Sequence, residues 1–485
     1  MRSGEIILLI LSLFYIVVKN KNWKESYKSI LITITFCCII LNVICEGFLW
    51  QMTFIYLAVF ILFLMQISNA KINRRFTIIS YLLLSLIFLG SVGLLLLFPL
   101  TDWAKPIGTY GVGVRNILLV DSNRIEKFDT KESFRKIPCN VWYPADIELN
   151  VEERDPYFND PFTESAVWAK GHGFSFIPFI WSHLGLLKTN HVTNAKISSK
   201  KNKYPLLIFS HGYWQSNSFN QYILENLASC GFIVLSITHE YESSYTFYPG
   251  KKINIYSKEN SEFQKRSHEY NNAQVGNIIK ELNETGNPNV KNEQLTKLND
   301  KMPGWYESNI TWAEDISFCI KELARINGDP FFNKIDTCKI GVLGFSFGGG
   351  ASGLASMNDK RIKACINIDG FQTVFNKHSR LLCPTLFIYS EEHTASNSYF
   401  YKLTNQPVYE LTIKGTKHSN FSDIAFHAEL LGKRLGYLGS KDSKESSKIL
   451  VENVILFFAK SLDIYEGFIT GDSSLKLKTA YKIVQ

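Results

Sequence analysis

Uncharged, largely apolar runs fill most of the first hundred positions: Ile6–Val18, Ile30–Ile44, Leu49–Ile67 and Phe76–Leu100. A helix needs about 20 apolar residues to cross a bilayer core. The third and fourth runs suffice, the second does so with its flanks, and the first is short. The pattern predicts an N-terminal bundle of about four transmembrane helices over residues 1–100, with three as the alternative. From about Trp103 the rhythm changes. Strand-length runs at Asn116–Val120, Cys139–Tyr143, Pro205–Phe209, Phe232–Thr238, Ala364–Ile368, Thr385–Tyr389 and Tyr409–Ile413 are interspersed with helical patterns at Phe219–Cys230 and Thr311–Ile326. Such alternation predicts an α/β domain over residues 101–485, with a mostly parallel sheet covered by helices on both faces. Two stretches break the rhythm and read as insertions. Residues 146–200 hold the apolar segment Phe174–Leu187, which can serve as a lid, touch a lipid interface or pack as core. Residues 241–310 are polar.

Charge changes the picture mainly at the membrane end. Lys19, Lys21, Lys24 and Lys28 lie between the first two runs, and Lys71, Arg74 and Arg75 between the last two. The positive-inside rule places both loops in the cytoplasm, so the chain after Leu100 emerges on the extracytoplasmic side, with the plasma membrane as the expected site. These topogenic residues supply much of the net charge of +8, which is therefore no sign of a nucleic-acid partner. The nine cysteines show no metal-binding spacing and are expected to be structural thiols.

The sharpest chemical signal is Gly344-Phe345-Ser346-Phe347-Gly348, which follows the apolar run Lys339–Leu343 and precedes Gly349, Gly350 and Ala351. This is the strand–turn–helix setting of a nucleophile elbow, in which a strained serine stands above the sheet. Gly173-Phe174-Ser175-Phe176-Ile177 begins alike but lacks the second glycine and the preceding strand. A serine nucleophile needs a base and an orienting carboxylate, which follow it in chain order in an α/β-hydrolase fold. His418, on the loop after the last strand-like run, is the expected base; His427 falls in a predicted helix and reads as a packing or surface residue. Asp369, Glu391 and Glu392 all stand at strand ends, and position alone leaves the acid open among them. For the oxyanion, the N–H groups of Phe347 and Tyr213 are the expected donors, the latter in the turn Ser210-His211-Gly212-Tyr213. His211, ahead of the nucleophile, reads as a turn residue.

Several segments together resemble the platelet-activating factor acetylhydrolase family. They are Tyr110–Gly113, Val141–Ala145, Tyr204–Gly212, Ala228–Val234, Gly344–Gly349 and Ile413–Asp423, in the family's order across roughly residues 105–430. The resemblance implies that Asp369 is the acid and that Phe174–Leu187 stands where the family contacts lipid. Phe345 replaces the family's usual histidine, and Gly370-Phe371 replaces a small residue and tryptophan. The expected function is a membrane-anchored serine esterase of short or modified phospholipid acyl chains, using Ser346, His418 and Asp369 and needing no cofactor or metal. An acyltransferase or peptidase on the same residues is the alternative, and an inactive membrane sensor a third reading.

Overall fold

The computed structural model describes residues 2–19, 23–68, 74–129, 133–147, 154–250, 253–255, 269, 273–285, 287–323, 330–372, 380–394, 397–398, 401, 404–464 and 482–483. They form two compact units. The first combines residues 1–103, 155–189 and 427–434, and the second combines 104–154, 190–426 and 435–485.

The first unit opens with helices Ser3–Lys19, Glu25–Glu46, Thr53–Ile67 and Arg74–Leu97. By length and composition, Glu25–Glu46 and Trp50–Ile67 could cross a membrane; Ser3–Val18 and Leu83–Leu97 are shorter apolar helices. Much of the expected 146–200 insertion packs here. Phe98 meets Trp181 edge-on at 5.3 Å between ring centroids, and Trp50 meets Phe179 at 5.7 Å. Ile180, Trp181, Leu184 and Leu187 are buried, whereas Phe176 is exposed. The second half of the segment, Ile180–Leu187, thus serves as core of this unit, whereas the first half exposes Phe176 and Phe179. His427 belongs to it too: it is buried and stacks on Trp103 at 5.6 Å, so it is a packing residue and not a surface one.

The second unit is built on a ten-stranded sheet. Its strands are β1 (Gly111–Ile125), β2 (Phe134–Ala145), β3 (His191–Thr193), β4 (Tyr204–Ser210), β5 (Ile233–Ile237), β8 (Ile335–Phe345), β9 (Ala364–Ile368), β10 (Thr385–Ser390), β11 (Val408–Ile413) and β12 (Lys482–Ile483). A separate hairpin pairs β6 (Tyr245–Phe247) with β7 (Ile253–Ile255). The spatial order is β12-β11-β10-β9-β8-β4-β5-β2-β1-β3. From β5 to β11 every neighbouring pair is parallel, and β2 joins β5 antiparallel. Every residue of β4, β5, β9 and β10 is buried, as expected of parallel strands covered on both faces. Trp312 and Ile316 of helix Pro303–Leu323, with Ala351 and Leu354 of helix Phe347–Asn358, join Leu206, Ile208, Leu235 and Val342 in one core. On helix Ser443–Ser461, Phe458 reaches the sheet beside Gly341 and Leu207. This is the α/β-hydrolase arrangement. All nine cysteines are free thiols.

Candidate active site

At the end of β8 the chain turns abruptly into helix Phe347–Asn358, with Ser346 at φ 56° and ψ −123°. The left-handed φ is strained for a residue with a side chain. It persists because the turn is held from two sides. The Ser346 N–H donates to the Ile368 carbonyl at the end of β9 (2.8 Å), and the Gly349 N–H donates to the Ser346 carbonyl (2.9 Å). A Cβ at Gly344 would sit 2.1 Å from the Gly348 carbonyl oxygen, and one at Gly348 would sit 2.2 Å from that of Ser210. Both collisions are with backbone and cannot be relieved by rotating a side chain, so the glycine pair is required. Gly348→Ala is expected to destroy the turn, measurable as loss of soluble, monodisperse protein.

β9 delivers Asp369 one strand over, also at left-handed φ (53°). Its side chain is buried and accepts from the Ser390 N–H (2.7 Å), the Ser390 hydroxyl (3.0 Å), His418 Nδ1 (2.7 Å) and His393 Nδ1 (3.0 Å). Burial alone would raise the carboxyl's pKa. The hydrogen bonds and charges of His393 and His418 outweigh it and hold the group well below the usual carboxylate range. His418 closes the chain of contacts with Nε2 3.0 Å from Ser346 Oγ. Ser346, Asp369 and His418 therefore meet in one hydrogen-bonded line.

The loop bearing His418 is gripped along its backbone. Glu392 accepts from the His418 N–H and Glu391 from the Gly415 N–H, both at 2.9 Å. Asn420 Oδ1 accepts from the Lys417 and Gly439 amides, each at 2.8 Å. Asp423 accepts from the Gln221 N–H at 2.6 Å, at the start of helix Gln221–Ser229. The two glutamates that competed with Asp369 in the sequence thus hold main chain. Phe345 stacks on the His418 imidazole at 4.7 Å and 25°, giving the departure from the family pattern a visible contact.

Phe347 opens its helix, so its N–H is among the first-turn amides that the helix cannot itself satisfy. The turn carrying Tyr213 lies beside the elbow: β4 pairs with β8 so that Ser210 faces Gly344, and the Tyr213 ring packs on Phe347 at 5.2 Å. Beneath that turn runs a buried polar network. Ser210 Oγ lies 2.8 Å from His239 Nε2, and His239 Nδ1 lies 2.8 Å from Asp315 Oδ2. His239 stacks on Trp312 at 3.9 Å and accepts no solvent, being fully buried. Asp315 also pairs with Arg135 (2.7 Å) and Arg124 (2.8 Å), and the His239 N–H donates to His211 Nε2 (3.2 Å). The side chains of this second serine–histidine–aspartate line are all fully buried and act as scaffold. Asp315→Asn removes the charge that the buried Arg135 and the partly exposed Arg124 face, and is expected to destabilise the protein by about 3 kcal/mol or more, read as a lowered thermal midpoint.

The same scaffold predicts acid lability. Burial pushes the pKa of His211 down to about 3 and that of His239 down to about 4, the latter against the opposing hydrogen bond to Asp315. Below the ordinary histidine range the unfolded chain binds protons that these native imidazoles refuse, so stability falls as pH falls. Each contributes a slope of up to about 1.4 kcal/mol per pH unit, from near pH 6.5 down to its folded value. Thermal melts from pH 7.5 to 5 are expected to show a steepening loss.

His393 was not singled out by the sequence reading. It lies directly after the two weighed glutamates, Glu391 and Glu392, and no spacing motif marks it. The hydrogen bond to Asp369 raises its pKa, against its partial burial.

Residues 141–480 match the family described as platelet-activating factor acetylhydrolase, isoform II. The platelet-activating factor acetylhydrolase of Canis lupus familiaris is 26% identical over 402 residues, covering 77% of this chain and 80% of its own. That of Gallus gallus is 28% identical over 286 residues, covering 56% and 65%. Among solved structures, a ferulic acid esterase from Streptomyces cinnamoneus superposes with a TM-score of 0.56 at 19% identity, over 80% of this chain and all of its own. At that identity the likeness establishes the shared fold.

Proposed function

Since the chain belongs to the platelet-activating factor acetylhydrolase, isoform II, family and is thereby an ester-hydrolysing enzyme, we propose that it works as a serine esterase through Ser346, His418 and Asp369. The observation carrying this reading is the hydrogen-bonded line from Asp369 through His418 to Ser346, at 2.7 and 3.0 Å. His418 Nε2 takes the Ser346 proton as Oγ attacks the ester carbonyl. Asp369 fixes the tautomer and stabilises the imidazolium that forms. The Phe347 and Tyr213 amides receive the charge that develops on the carbonyl oxygen. The alcohol leaves with the proton from His418, and water, deprotonated by the same imidazole, then releases the acid from Ser346.

The substrate we propose is a phospholipid with a short or modified acyl chain. The relatives' name supports this choice. The N-terminal helices anchor the enzyme in a membrane, with the basic loops at Lys19–Lys28 and Lys71–Arg75 cytoplasmic and the catalytic unit on the other face. The full-length protein in detergent or vesicles is expected to hydrolyse an acetyl ester of a glycerophosphocholine, and to do so faster than a long-chain one. A preference for glycerol or an amine over water as acceptor would replace the esterase reading with an acyltransferase, and cleavage of an amide in preference to an ester would replace it with a peptidase. In intact vesicles of defined orientation, protease access to the catalytic unit from the cytoplasmic face would overturn the topology.

A further inference from the structure

We propose that Asp369, His393 and His418 form an inhibitory binding site for a zinc-like transition-metal ion. One oxygen of Asp369 receives two imidazoles at once, His418 Nδ1 at 2.7 Å and His393 Nδ1 at 3.0 Å. The three candidate ligand atoms lie within 4.8 Å of one another. Two histidines and a carboxylate are a donor set that zinc takes in sites with an open fourth position. With bonds of about 2.0–2.1 Å in tetrahedral geometry, ligand atoms stand about 3.3 Å apart. The two nitrogen–oxygen separations need to widen by about 0.3–0.6 Å to reach that spacing, and the two imidazole nitrogens stand within 4.8 Å of each other. The histidine side chains are 38% and 35% exposed, giving an ion a path in, while Asp369 is fully buried. The Ser390 N–H on the other oxygen of Asp369 supplies the outer contact that orients a ligating carboxylate.

The proton accounting makes such an ion an inhibitor. A serine hydrolase needs His418 protonated at Nδ1, towards Asp369, and bare at Nε2, towards Ser346. A metal takes the Nδ1 lone pair, so the neutral ring must carry its proton on Nε2. Binding therefore relocates this proton without releasing it, and the nitrogen 3.0 Å from Ser346 Oγ becomes a donor that can no longer accept. The metal also occupies the Asp369 oxygen that would stabilise imidazolium. His393 adds the third donor that turns an ordinary pair into a chelate. Hard cations such as magnesium and calcium prefer oxygen cages and are poor occupants.

The inhibitory consequence rests on the serine-esterase reading; the binding itself does not. The test titrates untagged full-length protein with zinc chloride and, separately, with cobalt(II) as a spectroscopic probe, for the native chain, His393→Gln and His393→Asn. Expected are one metal per chain, tetrahedral cobalt absorption, and ester hydrolysis lost on zinc addition and restored by a chelator. Each variant, scaled to its own metal-free rate, is expected to need at least tenfold more zinc. Equal zinc sensitivity and equal cobalt spectra in native and variant proteins would overturn the site. Cobalt binding that depends on His393 without any ester hydrolysis would keep the site and sink the esterase reading. Should one variant fold poorly, as judged by its melting curve, the other supplies the comparison.

Discussion

Ser346→Ala in the full-length chain is expected to lower kcat for a short-chain ester by about a million-fold while leaving the melting temperature nearly unchanged. The magnitude follows from what the hydroxyl is proposed to do. Without Oγ no acyl-enzyme forms, and the remaining catalysis comes from binding and the two amides proposed to face the oxyanion. The small structural effect follows from the contacts: the turn is held by main-chain bonds of Ser346 to Ile368 and Gly349, which alanine keeps. A fluorophosphonate probe should label the native protein on Ser346 and leave the variant unlabelled. Retained hydrolysis in the variant would remove Ser346 from the mechanism altogether.

Asp369→Asn is expected to cost about four orders of magnitude in kcat. Asparagine keeps the shape, but its amide cannot supply the charge that balances imidazolium, and one of its faces offers a donor to the imidazoles. Here the effect has a second component, because two histidines share the group. An amide can satisfy His393 and His418 less well than the carboxylate, which accepts at 3.0 and 2.7 Å from the two rings. Glu392→Gln serves as the contrast. The amide side chain retains an oxygen for the His418 N–H, so activity should stay within about tenfold of native. Comparable losses in both variants would mean that the loop position, not the Asp369 charge, limits the rate.

Much of this site is legible from residues alone because its constraints are local. A serine between two glycines, after an apolar strand and before small residues, answers to sterics within a few positions of chain. His418 is marked by its place after the last parallel strand. The acid is harder because three carboxylates occupy neighbouring strand ends, and chain position does not tell which points at an imidazole. Asp369 does so through a left-handed φ and contacts more than twenty residues away in sequence, with Ser390, His393 and His418. His393 is invisible beforehand for the same reason: its partner is defined by the fold and not by spacing. The scaffold of Ser210, His239 and Asp315 joins three distant segments and leaves no periodic trace. The segment Phe174–Leu187 reads as apolar in sequence, but apolarity does not say which core will receive it.

That last assignment bears on how the chain must be made. The first unit draws on residues 1–103, 155–189 and 427–434, so it stays unfinished until residue 434 has left the ribosome. The ten-stranded sheet of the second unit closes later still, because its strand β12 (Lys482–Ile483) follows that last stretch. Trp168, Trp181 and Leu184 are all fully buried in the finished fold, and Trp168 gains the His427 ring, 6.1 Å away between centroids, only when that last stretch is made. Cutting the chain after Trp103 would leave these side chains permanently without their core. A cut at Trp103 therefore divides the first unit itself, parting residues 1–103 from the 155–189 and 427–434 stretches that complete it.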